Sequence, residues 1–319
     1  YSDGSNRQVL NNQCKPYECV DGDDTSLPDG LTANLAVKKI QELSQKEQPF
    51  CLAVGFFKPH LPFTSPKKYW DLYDESKISL APEQDIPENC HAELALHNSS
   101  EFNQYKLGDE VVMLDHRVDD SYARKLRHAY FACISYTDAQ VGKVLDALEK
   151  TGQADNTIII LWGDHGWHLG DQRIWGKHTV MESSLASALI VKAPGGLKGV
   201  KNHRIVSSID LYPTLMELSG VDTPDDLHGK SFARLLTDPE SKKWKDCAYS
   251  YYRAMMSMRV PGYRLSQYRN GDEIFTELYK YTDDFTEHKN IADENPKLVK
   301  KFLKLLEKGK TPAFYANKK

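Results

Sequence analysis

The chain has 319 residues, 40% apolar and 27% charged, with a formal net charge of −4. This is ordinary globular composition, and the length suits one large domain or a large domain with a small one. The charge offers nothing to nucleic acid, no basic run argues for a membrane surface, and no apolar stretch approaches the ~20 residues of a membrane-spanning helix.

Residues 1–28 are polar and aperiodic and read as a surface loop. Cys14 and Cys19 flank a proline there, and either pair with each other or with something upstream. Residues 31–46 carry Leu31, Leu35, Ile40 and Leu43 near helical spacing, with Asp29-Gly30 as a start. The short apolar run 49–57 predicts a buried strand with Cys51 inside it. It ends in Lys58-Pro59-His60-Leu61-Pro62-Phe63, so basic residues sit at its carboxyl end. Residues 64–118 read as a long excursion with a short helix near 66–73. Such a loop on a scaffold sets substrate choice. His91, His97 and His116 within it read as surface histidines, and Asn98-Ser99-Ser100 is a glycosylation sequon. Residues 119–150 predict the clearest helix, capped by Asp119, Asp120 and Ser121. Its stripe is Leu126, Tyr130, Cys133, Ile134, Val141, Leu145 and Leu148. Arg124, Lys125 and Arg127 read as its solvated face.

A β-branched run at 157–162 predicts a second buried strand. Asp164 and His165 follow, between Gly163 and Gly166, and Gly176-Lys177 comes thirteen residues after Asp164. Residues 185–193 predict another strand, and 205–219 a strand turning into a short helix that ends at Gly220. The loop after it holds His228, read as a loop histidine. From about 240 short runs (247–252, 255–260, 263–268, 275–281) alternate with Pro261-Gly262 and Asn270-Gly271-Asp272, which is hairpin punctuation. A final helix is expected over 295–309, with Leu298, Phe302, Leu305 and Leu306 on one stripe. The division expected is 1–240 for a large α/β portion and 241–319 for a small antiparallel subdomain.

In open α/β sheets ligands bind beyond the carboxyl ends of strands. Asp164 and His165 sit at such an end, and a carboxylate beside a neutral imidazole suits a divalent cation. Lys177 is well placed to hold an anionic substrate. Taken alone, Asp-His-Gly is more often a turn with a satisfied histidine, and Lys58 and His60 more often belong to a loop fixed by two prolines.

The longer strings carry a resemblance. TIIILWGDHGWHLGDQRIWGKH, residues 157–178, resembles the second signature of the type I sulfatases, members of the alkaline-phosphatase-like superfamily; Gly163 stands where Ser is usual. The histidine of DHGW, with LG and W-x-K following, is most similar to the iduronate-2-sulfatase branch. PFCLAVGFFKPHLPF resembles that branch's K-P-H-x-P-F segment, and YFACISYTDAQVGKVLDAL its long helix. Asp210-Leu211-Tyr212-Pro213-Thr214 resembles the family's structural D-(L/I)-x-P-T element. Glu277-Leu278-Tyr279, Asp283-Asp284, Glu287 and Asn290 resemble the family's ending, with Asp284-Phe285 in place of Asp-Pro. Ala186 and Ala188 depart from a basic residue and a proline, so no substrate role is assigned there.

The resemblance implies an alkaline-phosphatase-like α/β sandwich. Its central sheet is largely parallel or mixed and flanked by helices, with a small C-terminal antiparallel sheet and helix. It implies hydrolysis of a sulfate ester, with Asp164 and His165 as ligands of one Ca2+. Lys177 and His60 would contact the sulfate, one of them as the acid. Lys58 is a further substrate contact, and Trp167 and His168 form a substrate wall. The nucleophile would be a formylglycine in a C/S-x-P-x-R motif. Cys14-Lys15-Pro16-Tyr17-Glu18 imitates that motif, but Glu18 replaces Arg and would repel a sulfate, so it is rejected.

The chain is therefore expected to be a piece of something longer. Tyr1-Ser2-Asp3-Gly4 is an odd start without an initiator Met, and the N-terminal segment with the nucleophile is the expected partner needed for stable folding. The substrate implied is a 2-O-sulfated uronic acid of a glycosaminoglycan-type oligosaccharide. The implied location is exported (periplasmic, extracellular or lysosomal). The alternatives are a phosphodiester or phosphonate ester hydrolase of the same superfamily, or a non-catalytic sulfatase-like carbohydrate-binding protein.

Overall fold

A computed structural model describes residues 1–281 and 286–309. The chain divides into two compact units, one of residues 1–84 and 98–156, the other of residues 85–97 and 157–319.

In the first unit β1 (Tyr17–Val20) pairs in parallel with β2 (Phe63–Pro66), Tyr17 facing Phe63. Parallel neighbours need a crossover of a dozen residues or more, and α1 (Pro28–Leu43) lies within it. Pro28 takes the first turn of α1, where its missing N–H costs nothing. Helix α2 (Lys67–Trp70) follows β2, and α3 (Ala92–Ala95) lies on the segment belonging to the second unit. Helix α4 (Asp120–Lys150) closes the first unit, the Asp119 carboxylate accepting from Ser121 N. Its buried face is Tyr122, Leu126, Ala129, Cys133, Tyr136 and Gln140, the i, i+3/i+4 repeat of an amphipathic helix.

The stripe expected on α1 is overturned. Leu31 and Leu35 are 57% and 64% exposed, and Gly30, Ala33, Ala36 and Ile40 are buried instead. Small residues let the backbone approach. A Cβ on Gly30 would lie 1.9 Å from Asp24 O, and Gly30 N donates to Tyr136 Oη. On α4, Ile134 and Leu145 are exposed and Arg127 is buried, its guanidinium 5.5 Å from the Phe131 ring centre. Asp24 ties the unit together, accepting from Lys143 Nζ and Lys68 Nζ at 2.7 Å each and Tyr69 Oη at 2.8 Å. Burial pushes its carboxyl up, but these hydrogen bonds outweigh that and hold it well below the usual carboxylate range.

The strand expected over 49–57 does not form among the described residues, and Cys51 is exposed. Apolar periodicity signals a strand only where a ladder partner exists. Here the amides of Phe57 and Lys58 donate instead to the two oxygens of buried Asp29, at 2.9 and 2.8 Å. Cys14 is buried, Cys19 is exposed, and both are free thiols.

In the second unit β3 (Ile159–Trp162) pairs antiparallel with β6 (Leu189–Lys192). Between them β4 (His168–Leu169) pairs with β5 (Trp175–Gly176), and α5 (Glu182–Leu185) follows. Strand β3 is less enclosed than its composition predicts: Leu161 is 38% and Trp162 48% exposed. The strand expected at the start of 205–219 is also overturned. A capping box of Ser207 and Asp210 opens a short 3-10 turn leading straight into α6 (Leu211–Leu218). Asp210 accepts from Ser207 N and Lys230 N, both at 2.8 Å, so its role is structural.

The C-terminal meander matches the expected punctuation. Strands β7 (Ala248–Tyr252), β8 (Met255–Val260), β9 (Tyr263–Asn270) and β10 (Glu273–Lys280) form one antiparallel sheet in the order β10-β9-β8-β7. Helix α7 (Pro296–Leu306) packs Phe302 and Leu306 on Met256, Met258, Leu265 and Leu278. Of the family-like ending, Glu277 accepts from His91 N and Tyr279 Oη, and Asn290 from Leu278 N and Ala292 N. Asp283, Asp284 and Phe285 lie outside the described residues, as do residues 310–319 of the expected small subdomain. No helix among the described residues is long and apolar enough to cross a membrane.

Candidate active site

Strand β3 ends at Trp162, and the chain turns through Gly163, Asp164, His165 and Gly166. The turn is fastened to the segment before β6: Gly163 N donates to Ala188 O at 2.9 Å and Gly166 N to Ser184 O at 2.8 Å. Gly166 is required by space, since a Cβ there would meet Ser183 O at 2.2 Å and Ala186 O at 2.5 Å. This close approach presents the two residues between the glycines. The Asp164 side chain is 78% exposed and that of His165 34%.

Asp164 Oδ1 accepts from His165 N at 3.0 Å, and Asp164 Oδ2 lies 3.5 Å from His165 Nε2. His165 Nδ1 is 2.7 Å from Gly166 O. A carbonyl can only accept, so Nδ1 carries a proton, which leaves Nε2 as the nitrogen through which the neutral ring could ligate a metal. One carboxylate oxygen and one imidazole nitrogen 3.5 Å apart can grip a single cation. They fit such an ion as part of its shell, because Ca2+ takes about six to eight donors. Among the described residues no group of three or more His, Cys, Asp or Glu gathers there.

The β4–β5 ribbon carries the next residues. The Lys177 ammonium lies 5.4 Å from the centre of the Trp167 ring, a cation–π pair at the exit of β5. His168, expected in a substrate wall, is fully buried, its Nε2 2.9 Å from Thr179 Oγ1, which in turn lies 2.9 Å from Ser184 Oγ. Burial lowers its pKa to about 4. It is a core histidine that braces the ribbon, and the neighbouring Trp167 is the part-exposed ring. Two more contacts hold the Lys177 segment. His97 packs so closely on Gly176 that a Cβ there would meet its Cε1 at 2.9 Å. Glu182, five residues beyond Lys177, accepts from Arg264 Nη2 and lies 3.3 Å from Arg259 Nε, while its amide donates to Glu287 Oε2 at 2.8 Å.

Lys58 and His60 belong to the first unit. Lys58 is buried, 7% exposed, and its ammonium donates to the carbonyls of His60 and Pro62. Burial lowers its pKa to about 8. The expected substrate contact is therefore turned inward, and this lysine holds its own loop in shape. His60 is more open: its Nδ1 lies 2.8 Å from Leu61 O and its Nε2 3.3 Å from Glu101 Oε1, with the ring 4.9 Å from that of Phe57. Sequence reading missed Glu101 and Asp29, which position this loop from 28 or more residues away. No local spacing marks such partners. It also missed His97, read as a surface residue. The only available signal was Gly176, whose missing side chain makes room for that ring.

The sulfatase family model matches residues 2–221, and the model of the N-sulphoglucosamine sulphohydrolase C-terminal region matches residues 163–311. A sulfatase of Formosa agariphila is 34% identical over 272 residues, covering 85% of this chain and 51% of that protein. Human iduronate 2-sulfatase is 30% identical over 251 residues, covering 69% of this chain and 45% of its own length. The chain thus spans about half the length of these relatives. Among solved structures, the phosphonate monoester hydrolase of Silicibacter pomeroyi superposes with a TM-score of 0.77 at 20% identity, over 90% of this chain and 60% of that one. The fold is that of the alkaline-phosphatase-like sulfatases, mixed α/β with a small antiparallel C-terminal sheet. On the match over residues 2–221, the chain belongs to the sulfatase family.

Proposed function

We propose that the protein hydrolyses a sulfate ester on a sugar, with a 2-O-sulfated uronic acid of a glycosaminoglycan-type oligosaccharide as substrate. The observation that carries this is the Asp164–His165 pair, with Nδ1 engaged by Gly166 O and Nε2 turned toward the carboxylate. These two side chains would hold one divalent cation, expected to be Ca2+, which would supply positive charge to stabilise the sulfate oxygens. A formylglycine hydrate, in the part of the relatives' length this chain does not span, would supply the nucleophile.

This chain's own residues do the rest. Lys177, steadied over Trp167, binds a sulfate oxygen and neutralises its charge. His60 would serve as the acid for the leaving alkoxide, and Glu101, 3.3 Å from its Nε2, orients the ring. Trp167 forms the wall on which the sugar packs, and Lys58 keeps the 58–63 loop in shape beneath His60. The similarity to human iduronate 2-sulfatase supports the choice of substrate, and the family supports an exported protein.

The test is sulfate release by the intact protein. A 2-O-sulfated uronate disaccharide, an aryl sulfate and a phosphonate monoester are compared, each with wild type, Asp164→Ala and Lys177→Ala. The reading expects release from the disaccharide, lost on chelation and in both variants. Faster turnover of the phosphonate would move the protein to the other branch of the superfamily. Binding of the disaccharide without release from any substrate would make it a carbohydrate-binding protein.

A further inference from the structure

Three two-residue turns link the strands of the C-terminal meander. At two of them the residue with positive φ is glycine, Gly262 at 77° and Gly271 at 59°. At the first, between Tyr252 and Met255, it is Arg253 at 52°. A side chain at such a φ crowds the backbone, and Gly, Asn or Asp is the usual occupant. Strain of this kind persists where something else retains the residue.

The surroundings of Arg253 say what that is. Its guanidinium lies 5.2 Å from the centre of the Tyr252 ring, it is exposed, and no carboxylate pairs with it among the described residues. Tyr252 stacks on His178, with ring centres 5.3 Å apart and planes 22° from parallel. His178 stands 5.9 Å from His97. A continuous row therefore runs from the ring packed on Gly176, through the neighbour of Lys177, to an exposed cation 5.2 Å from an aromatic ring centre. Arginine offers a planar fork of donors to carboxylate and sulfate oxygens, and an aromatic ring offers the apolar face of a pyranose a flat surface.

We propose that Tyr252 and Arg253, stacked on His178 beside Lys177, form a subsite that reads an anionic group on a sugar ring. The proposal rests on the sulfated-sugar reading above and adds the residues that choose among such sugars. A carboxylate or a second sulfate presents the same chemistry to Arg253, and the test separates them.

The intact protein is titrated by calorimetry with three probes: a 2-O-sulfated uronate disaccharide carrying a further ring sulfate, its carboxyl-reduced form, and the form lacking that further sulfate. Arg253→Ala is expected to weaken binding of the first about tenfold, as loss of a charge-assisted hydrogen bond does. The loss should disappear with whichever modified probe has lost the group being read. Arg253→Gly should show the same weakening while melting above wild type, because glycine takes this φ freely; that result excludes misfolding as the cause. Equal affinity of wild type and both variants for the first probe overturns the subsite, as does a loss that persists unchanged with both modified probes or absence of binding by wild type. Arginine-dependent binding without sulfate release leaves the subsite standing and removes the reaction. Sulfate release with one KM for wild type and variants keeps the reaction and removes the subsite.

Discussion

Gly166→Ala tests how the turn after β3 is built. The added carbon would sit 2.2 Å from Ser183 O and 2.5 Å from Ala186 O, both backbone atoms of the segment leading into β6. Neither can swing aside as a flexible side chain would. Overpacking typically costs about 1–3 kcal/mol, and the upper end applies because two backbone oxygens must yield. Displacing the turn also stretches the 2.8 Å bond from Gly166 N to Ser184 O, worth roughly 1 kcal/mol. A total of about 3–4 kcal/mol corresponds to a fall in Tm of roughly 6–16 °C at ~2–4 °C per kcal/mol. The control is Gly142, inside α4, where a Cβ meets nothing within 4 Å; Gly142→Ala should stabilise by about 0.5–1 kcal/mol. Thermal melts of the intact protein, followed by circular dichroism with and without Ca2+, read both. Gly166→Ala should also lose the cation-dependent rise in Tm, since Asp164 and His165 move with the turn. A Gly166→Ala melt within 2 °C of wild type, or an undiminished Ca2+ effect, would refute the close approach as the device that presents the pair.

Three further outcomes are expected. Lys58 has a folded pKa of about 8 against an ordinary 10.5, so between those values the unfolded chain binds more protons and stability rises with pH; the gain, on the order of 3 kcal/mol, should vanish from denaturant titrations of Lys58→Met. His168, lowered to about 4 from 6.5, has the same sign in another window: stability present above pH 6.5 is lost as pH falls toward 4, and His168→Gln should flatten that limb of the acid-unfolding curve. Native thiol labelling read by mass spectrometry should modify exposed Cys51 and Cys19 but spare buried Cys133, whose thiol burial pushes up to about 12. Protection of Cys51 would restore the buried strand over 49–57.

Several elements were legible because their cause is local. The period of α4, the Asp119 cap and the glycines at the tips of the meander each depend on residues a few positions apart. The strand over 49–57 failed for the complementary reason. An apolar run states a preference for burial, whereas a ladder needs a second chain segment at the right place, and at the end of the run the Phe57 and Lys58 amides go to Asp29 instead. Leu31 and Leu35 have the right spacing for a buried stripe, yet the face that can approach Asp24 is the one with Gly30 and Ala33.

The same division runs through the candidate site. Adjacency and type alone determined that Asp164, His165 and Lys177 are available beyond a strand, since peptide geometry keeps neighbours together and glycines mark where the chain turns. Sequence order could not decide which histidine is buried in the core and which lysine caps its own loop. His168 and Lys58 look as exposed as Trp167 and His60 until the packing around them is known. Nor could it pair His60 with Glu101, or stack His178 on Tyr252. Those contacts join residues that are remote in the chain, and only the folded backbone brings them within the few ångströms over which hydrogen bonds and ring stacking act.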